Sequence, residues 1–240
     1  MTDLRDKILD LMKTPTARDN QSLVGASNIS NPCTRCLADD MLGSRKSDSS
    51  FAWMGAWTGT AMHNRMEDEV TQHRADQGWL SEQRLVLGEI PGYGTVKSTT
   101  DLYLPDNGGT VGDFKSTTRD KLAHIRRALE EPEDPLEITK VTEARVKVSG
   151  YLNQVMLYGR GVRDTLHLPI AKVALIFLCR DGVSDKDVWV FETDYDENRA
   201  NKVWDRAVRL WEWLQAGNDP RQLNSHPQCY YCNNVRNWSE

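Results

Sequence analysis

Two C-x-x-C pairs stand at opposite ends of the chain, Cys33/Cys36 and Cys229/Cys232, and a fold that uses them together must bring residue 33 back to residue 232. Each pair offers two thiolates from one tight turn or helix start, and two pairs complete a tetrahedral S4 donor set. The N-terminus, beginning Met1-Thr-Asp-Leu-Arg, lacks the apolar core of a signal peptide, so a cytoplasmic location is expected. In that reducing compartment such pairs read as metal or iron–sulfur ligands before disulfides, and from spacing alone zinc is favoured. The Asn-x-Ser triplets at Asn28 and Asn237 then carry no glycosylation meaning. Cys179 ends the apolar run Val173–Cys179 and reads as a buried hydrophobe. That run is strand-length, and no stretch approaches a membrane span.

At 240 residues the chain is long enough to bury a proper core as one domain. Its net charge of −5 argues against a protein that coats nucleic acid by phosphate neutralisation alone. The balance still permits a site in which carboxylates become attractive to phosphate through a metal, with a local basic patch gripping the backbone. Arg119, Lys121, Arg126 and Arg127, and then Lys140, Arg145 and Lys147, are the candidates for that patch, although solvated helix faces explain most of them.

Hydrophobic periodicity orders the elements. Helical spacing covers 4–12, followed by a polar stretch over 13–30; Asn31-Pro32 then resembles an N-cap with proline at the first helical position, and Gly43 an end. A longer helix is expected over 55–77 and strands over 80–89, 93–104 and 110–117. Helices over 122–129 and 142–160 follow, separated by a break at 131–135. Strands over 171–179 and 188–193 precede a helix over 196–215, whose stripe of Val203/Trp204, Ala207, Leu210/Trp211 and Leu214 faces a core. This order predicts a mixed α/β layer fold with the cysteine pairs outside it.

Chemistry concentrates on one hairpin. Asp101 closes the alternating run of Lys97, Thr99 and Asp101 against Val96, Ser98 and Thr100; Asp106-Asn-Gly-Gly109 is a strong turn signal; and the chain returns as Gly112-Asp-Phe-Lys115. Residues two apart on a strand share a face, so Asp113 and Lys115 point together and Phe114 points away, towards a core. One acid from each strand plus a lysine suits metal-assisted phosphate chemistry: hard oxygen ligands for Mg²⁺ or Mn²⁺, and a cation for developing charge. A surface hairpin with ordinary charges has the same look. His63 lies on the helix before the sheet, four residues from Glu67, and Gln154 and Tyr158 are four apart on the helix after it. Singly, each is better explained as a surface or partly buried polar residue.

In sequence order, these features are a histidine helix, an Asp strand, an Asp-x-Lys strand and a Gln-x-x-x-Tyr helix. That order resembles the RecB-like branch of the PD-(D/E)XK nucleases, and within it the CRISPR-associated and phage-encoded iron–sulfur exonucleases; the likeness runs from Cys33 to Cys232. The resemblance implies a restriction-endonuclease-like mixed sheet core flanked by helices, with a cysteine-ligated cluster joining the N- and C-terminal segments. It implies one nuclease domain over 1–240, comprising an N-terminal helical segment (1–54), a core (55–194) and a C-terminal helix with the second cysteine pair (195–240).

By the same resemblance Gly59-Thr-Ala-Met-His63 is similar to the family's glycine–histidine motif, so that His63, Asp101, Asp113 and the Phe114 carbonyl would hold Mn²⁺ or Mg²⁺. Lys115 would act on the nucleophile and the phosphate, and Gln154 and Tyr158 would position water or strand. Glu82 and Glu89 compete for an auxiliary acid. Cys33, Cys36, Cys229 and Cys232 would bind a [4Fe–4S] cluster, although this two-and-two split departs from the family's one-and-three and suits zinc equally. The implied activity is exonucleolytic hydrolysis of single-stranded or end-opened DNA, 5′→3′ by family expectation, in recombination, repair or CRISPR spacer processing alongside proteins of those pathways. A non-catalytic cluster- or zinc-stapled DNA-binding or adaptor protein is the alternative; it would have no need of the intact Asp101/Asp113/Lys115 set.

Overall fold

The computed structural model describes residues 4–12, 23–43, 53–130, 139–229 and 232. Helices α1 (Leu4–Met12), α2 (Ala26–Ile29), α3 (Thr34–Met41) and α4 (Trp53–His73) precede strands β1 (Leu80–Ile90), β2 (Gly94–Leu104) and β3 (Thr110–Thr117). Helices α5 (Arg119–Glu130) and α6 (Thr139–Gly161), strands β4 (Lys172–Cys179) and β5 (Val188–Asp194), and helix α7 (Glu197–Gln215) complete the order. The five strands form one mixed sheet in sequence order, antiparallel except between β3 and β4. That parallel pair needs a long crossover, which α5 and α6 supply. The element bounds match the periodicity to within a few residues. The expected break at 131–135, the Asn237 triplet and the side chain of Lys140 lie outside what the structure describes.

Alternation along the strands separates two apolar layers. Val111 of β3 and Tyr103 of β2 belong to the main core, whereas Phe114 and Leu102 pack with Val70 of α4 in a smaller cluster on the other face. Helix α7 starts at Asp196, whose side chain accepts a hydrogen bond from the Arg199 N–H, and buries Ala200, Val203, Trp204, Ala207, Leu210, Trp211 and Leu214. Spacing of three and four residues puts these on one side, and each large member contributes about 1.5–3 kcal/mol by leaving water. Residues 23–30, expected only as part of a polar stretch, bury Val24, Ala26 and Ile29 in that same core. Among the described residues no helix is long and apolar enough to cross a membrane.

One helix start differs from expectation. Helix α3 begins at Thr34 with Cys33 as its N-cap, rather than at Pro32 with Asn31 as cap. The Asn31 Oδ1 accepts the Cys33 N–H at 2.9 Å, and the carbonyls of Ile29 and Asn31 are both taken by the Arg206 guanidinium, at 2.5 and 2.6 Å. The turn is therefore held from α7, and the helix is delayed until Cys33 has been placed.

Candidate active site

The site forms where two strands part. The β2–β3 ladder covers only Leu102↔Gly112, Tyr103↔Val111 and Leu104↔Thr110, although β3 stays paired with β4 as far as Thr117. Two residues beyond Gly112 the Phe114 N–H donates to Asp101 Oδ2 at 2.7 Å instead of to a β2 carbonyl. A carboxylate thus satisfies the buried amide at the point where the ladder ends. The other Asp101 oxygen lies 3.4 Å from Nδ1 of His63, which α4 brings to the sheet, and the His63 ring meets Phe114 edge-on at 6.0 Å.

Across the sheet from Asp101 stands Glu82, between the pairs Ser81↔Leu102 and Gln83↔Thr100. Its φ of +47° is unusual for a non-glycine residue within a strand. One ligand atom each from His63, Glu82 and Asp101 falls within 4.8 Å of the others. Glu89, the rival auxiliary acid, accepts from the Thr95 hydroxyl at 2.7 Å and is not in that group.

Asp113 and Lys115 come next along β3. Asp113 is 1% exposed, and its Oδ2 forms an ion pair with Lys115 Nζ at 2.7 Å. Burial raises the Asp113 pKa to about 7; Lys115 opposes the rise and Asp101 adds to it. For Lys115 burial acts downward, but Asp113, Tyr151 and Asp101 outweigh it and raise its pKa, so it remains an ammonium ion. Its proton donors are directed by neighbours: the Gln154 Oε1 accepts at 2.9 Å, and the Tyr151 ring lies 4.6 Å from Nζ.

One helical turn on from Gln154, its Nε2 donates to the Tyr158 hydroxyl at 2.7 Å, and that hydroxyl also meets Ser98 on β2. Burial, then Asp113 and Asp101, keep the Tyr158 phenol neutral by raising its pKa well above the usual value. Gln154 and Tyr158 therefore link the Lys115 ammonium on β3 to Ser98 on β2.

These groups line a cleft of about 920 Å³ that also receives Arg84, Lys97 and Thr99. Lys97 shares the Asp101 face by alternation, a signal present in the sequence, whereas the approach of Arg84 on β1 depends on strand pairing. Of the basic candidates, Arg119, Arg126 and Arg127 line a separate pocket of about 380 Å³ with Lys186. Lys147 instead lies 5.7 Å from the Tyr151 ring, in a cavity of about 700 Å³ that shares Ser27, Lys115 and Gln154 with the cleft.

The donor set fits a hard divalent cation. His63 Nδ1 is buried and makes no well-formed hydrogen bond, its nearest acid being Asp101 at 3.4 Å, and an oxygen of Glu82 lies within 4.8 Å of the His63 and Asp101 ligand atoms. Burial lowers the His63 pKa, but Asp101, Asp113 and Glu82 outweigh it and the net shift is upward. Three carboxylates held around one imidazole attract positive charge, whether from a proton or a metal.

The four-cysteine site joins the N-terminal segment at Cys33 and Cys36 to the C-terminal segment at Cys229 and Cys232. Cys33, Cys36 and Cys229 are buried and Cys232 half-buried, with Sγ–Sγ separations of 3.7 Å (33–232), 3.4 Å (36–229) and 3.6 Å (36–232). Cys179 ends β4, half-buried beside the main core.

No protein-family model matches the chain, and no curated protein matches it in sequence. Among solved structures the fold is similar to the alkaline exonuclease LHK-Exo of Laribacter hongkongensis, with a TM-score of 0.49 and 11% identity, covering 82% of this chain and 89% of that one. It is also similar to a phage related exonuclease from Haemophilus somnus 129PT, with a TM-score of 0.42 and 13% identity, covering 90% of each chain. A structure of LHK-Exo in complex with dAMP matches with a TM-score of 0.43 and 13% identity, covering 82% of this chain and 89% of that one.

Proposed function

We propose that this chain is a single-domain, metal-dependent deoxyribonuclease that hydrolyses phosphodiester bonds from the ends of single-stranded or end-opened DNA. The observation that carries the reading is the meeting of His63, Asp101, Asp113 and Lys115 where β2 and β3 part, inside an open cleft. His63, Glu82 and Asp101, with Asp113 and the Phe114 carbonyl beside them, would hold Mn²⁺ or Mg²⁺, and the imidazole favours Mn²⁺. When bound, such an ion polarises the phosphate and lowers the pKa of a water.

The chain's own groups supply the rest. Lys115, whose pKa its acidic neighbours raise, is a cation in the cleft wall suited to offset charge that develops on the phosphate. Gln154 and Tyr158 hold that ammonium in one orientation, so little reorganisation accompanies the reaction. Arg84 and Lys97 are suited to phosphates further along the strand. The 5′→3′ direction and a place in recombination, repair or CRISPR spacer processing follow from the sequence resemblance.

The test is a digest of linear single-stranded DNA, labelled at either end, with Mn²⁺ or with a chelator. Metal-dependent release of mononucleotides from one end is expected, and Asp113→Ala should abolish it. Equal cleavage by the parent and Asp113→Ala, or DNA binding by the parent without turnover, would overturn the reading and favour a stapled DNA-binding or adaptor protein.

A further inference from the structure

We infer that Cys33, Cys36, Cys229 and Cys232 form a mononuclear tetrathiolate zinc site, in place of the [4Fe–4S] cluster that the sequence resemblance implies. All four Sγ atoms lie within 4.8 Å of one another, with separations of 3.4 Å (36–229), 3.6 Å (36–232) and 3.7 Å (33–232). The centre of a tetrahedron lies about 0.61 edge lengths from each corner, so edges of 3.4–3.7 Å correspond to roughly 2.1–2.3 Å and the 4.8 Å limit to at most about 2.9 Å, a range that spans the Zn–S bond of ~2.3 Å. The separations are too long for a disulfide, whose sulfurs are ~2.05 Å apart.

A cubane cluster does not fit the same set. Each of its four thiolates binds a different iron and points outward from a corner, with inorganic sulfides filling the alternate corners. Sulfurs near van der Waals contact leave no volume for four irons and four sulfides. The two-and-two division of ligands, each pair spaced C-x-x-C, agrees with the single-ion reading.

The surroundings are built for a rigid staple. The His226 N–H donates to Cys33 Sγ at 3.4 Å, and the Cys229 N–H closes its own turn on the His226 carbonyl at 2.8 Å. Arg206 clamps the Ile29 and Asn31 carbonyls just before Cys33, and Arg35 Nε reaches the Leu223 carbonyl at 2.6 Å. Zinc has no redox chemistry, so the site acts as a fixed clasp. Cys33, Cys229 and His226 line the 700 Å³ cavity that Lys115 and Gln154 also line.

Metal content tests the inference independently of the nuclease reading, because it is measured on the purified chain whatever that chain cleaves. The full chain is produced anaerobically with iron and zinc both supplied, washed with a mild chelator to empty the His63/Glu82/Asp101 site, and analysed for zinc, iron and acid-labile sulfide. One zinc per chain, negligible sulfide and a colourless solution are expected. Exchange with Co²⁺ should give the intense visible bands of a tetrahedral thiolate site, and Cys36→Ser should lose the retained zinc. Should that variant not fold, release of the parent's zinc by a thiol-specific mercurial, titrated with a colorimetric chelator, reads the same site. A brown protein carrying iron and sulfide in equal amounts, or zinc retained in full by Cys36→Ser, would overturn the inference.

Discussion

Replacing Lys115 with methionine should make stability depend on pH in a way that reports directly on Asp113. The substitution keeps most of the stem's length but removes the ammonium 2.7 Å from Asp113, 2.9 Å from Gln154 Oε1 and 4.6 Å from the Tyr151 ring. In the parent, burial holds the Asp113 pKa raised, at about 7, against the downward pull of Lys115. The unfolded carboxyl ionises in the ordinary range, so this group's contribution to stability is full at low pH and is lost as pH climbs to about 7. In Lys115→Met the downward pull is gone, and the folded-state pKa moves higher still. Below pH 7 both proteins carry a protonated Asp113, and the variant is weaker mainly by a charged hydrogen bond, about 2 kcal/mol. Above pH 7 the parent ionises Asp113 in place while the variant must keep its proton. The gap then widens by about 1.4 kcal/mol per pH unit, or roughly 3 kcal/mol between pH 7 and pH 9. Urea denaturation with a chelator present, run from pH 6 to pH 9, measures it. Adding Asp113→Asn to Lys115→Met should flatten the dependence. A stability difference constant over the whole range would refute the reasoning, since it would mean that Lys115 does not set the charge of Asp113.

Other outcomes follow from the same geometry. Glu82→Gln should weaken Mn²⁺ binding by at least the ~10-fold typical of losing an outer-shell partner, while Glu89→Gln should leave it unchanged by calorimetry; equal effects would remove Glu82 from the site. His63→Ala should lower affinity for Mn²⁺ more than for Mg²⁺, because imidazole is the softer ligand, and a uniform loss would count against that role. Gly109→Ala should destabilise the fold by about 3 kcal/mol or more, since φ is +90° and a Cβ would fall 1.9 Å from the Pro169 carbonyl oxygen. An unchanged melting temperature would show that this turn can move. In the parent, Mn²⁺ should raise the melting temperature more at pH 8 than at pH 6, because the protons held on His63 and Asp113 compete with the metal.

Much of the site was legible because its signals are local. Alternation along one strand places Asp113 with Lys115 and sends Phe114 to the α4 layer, and a four-residue helical interval puts Gln154 beneath Tyr158. The turn chemistry of Asp106–Gly109 is equally local: Asn107, Gly108 and Gly109 all take positive φ. Arg206 shows where that legibility stops. Nothing near residue 31 signals that a side chain 175 positions away will take its carbonyl and delay α3.

By itself the sequence determined the kinds of element, the side of each element its chemistry faces, and a need for four thiolates to share a site. Only the tertiary structure decided how far apart those groups stand. It ended the β2–β3 ladder beside Asp101, placed Glu82 rather than Glu89 next to His63 and Asp101, and drew the four thiols within 4.8 Å of one another. The physical reason is that backbone geometry repeats within an element, so spacing in the chain gives direction there. Distances between elements come from register and packing, which no local pattern encodes.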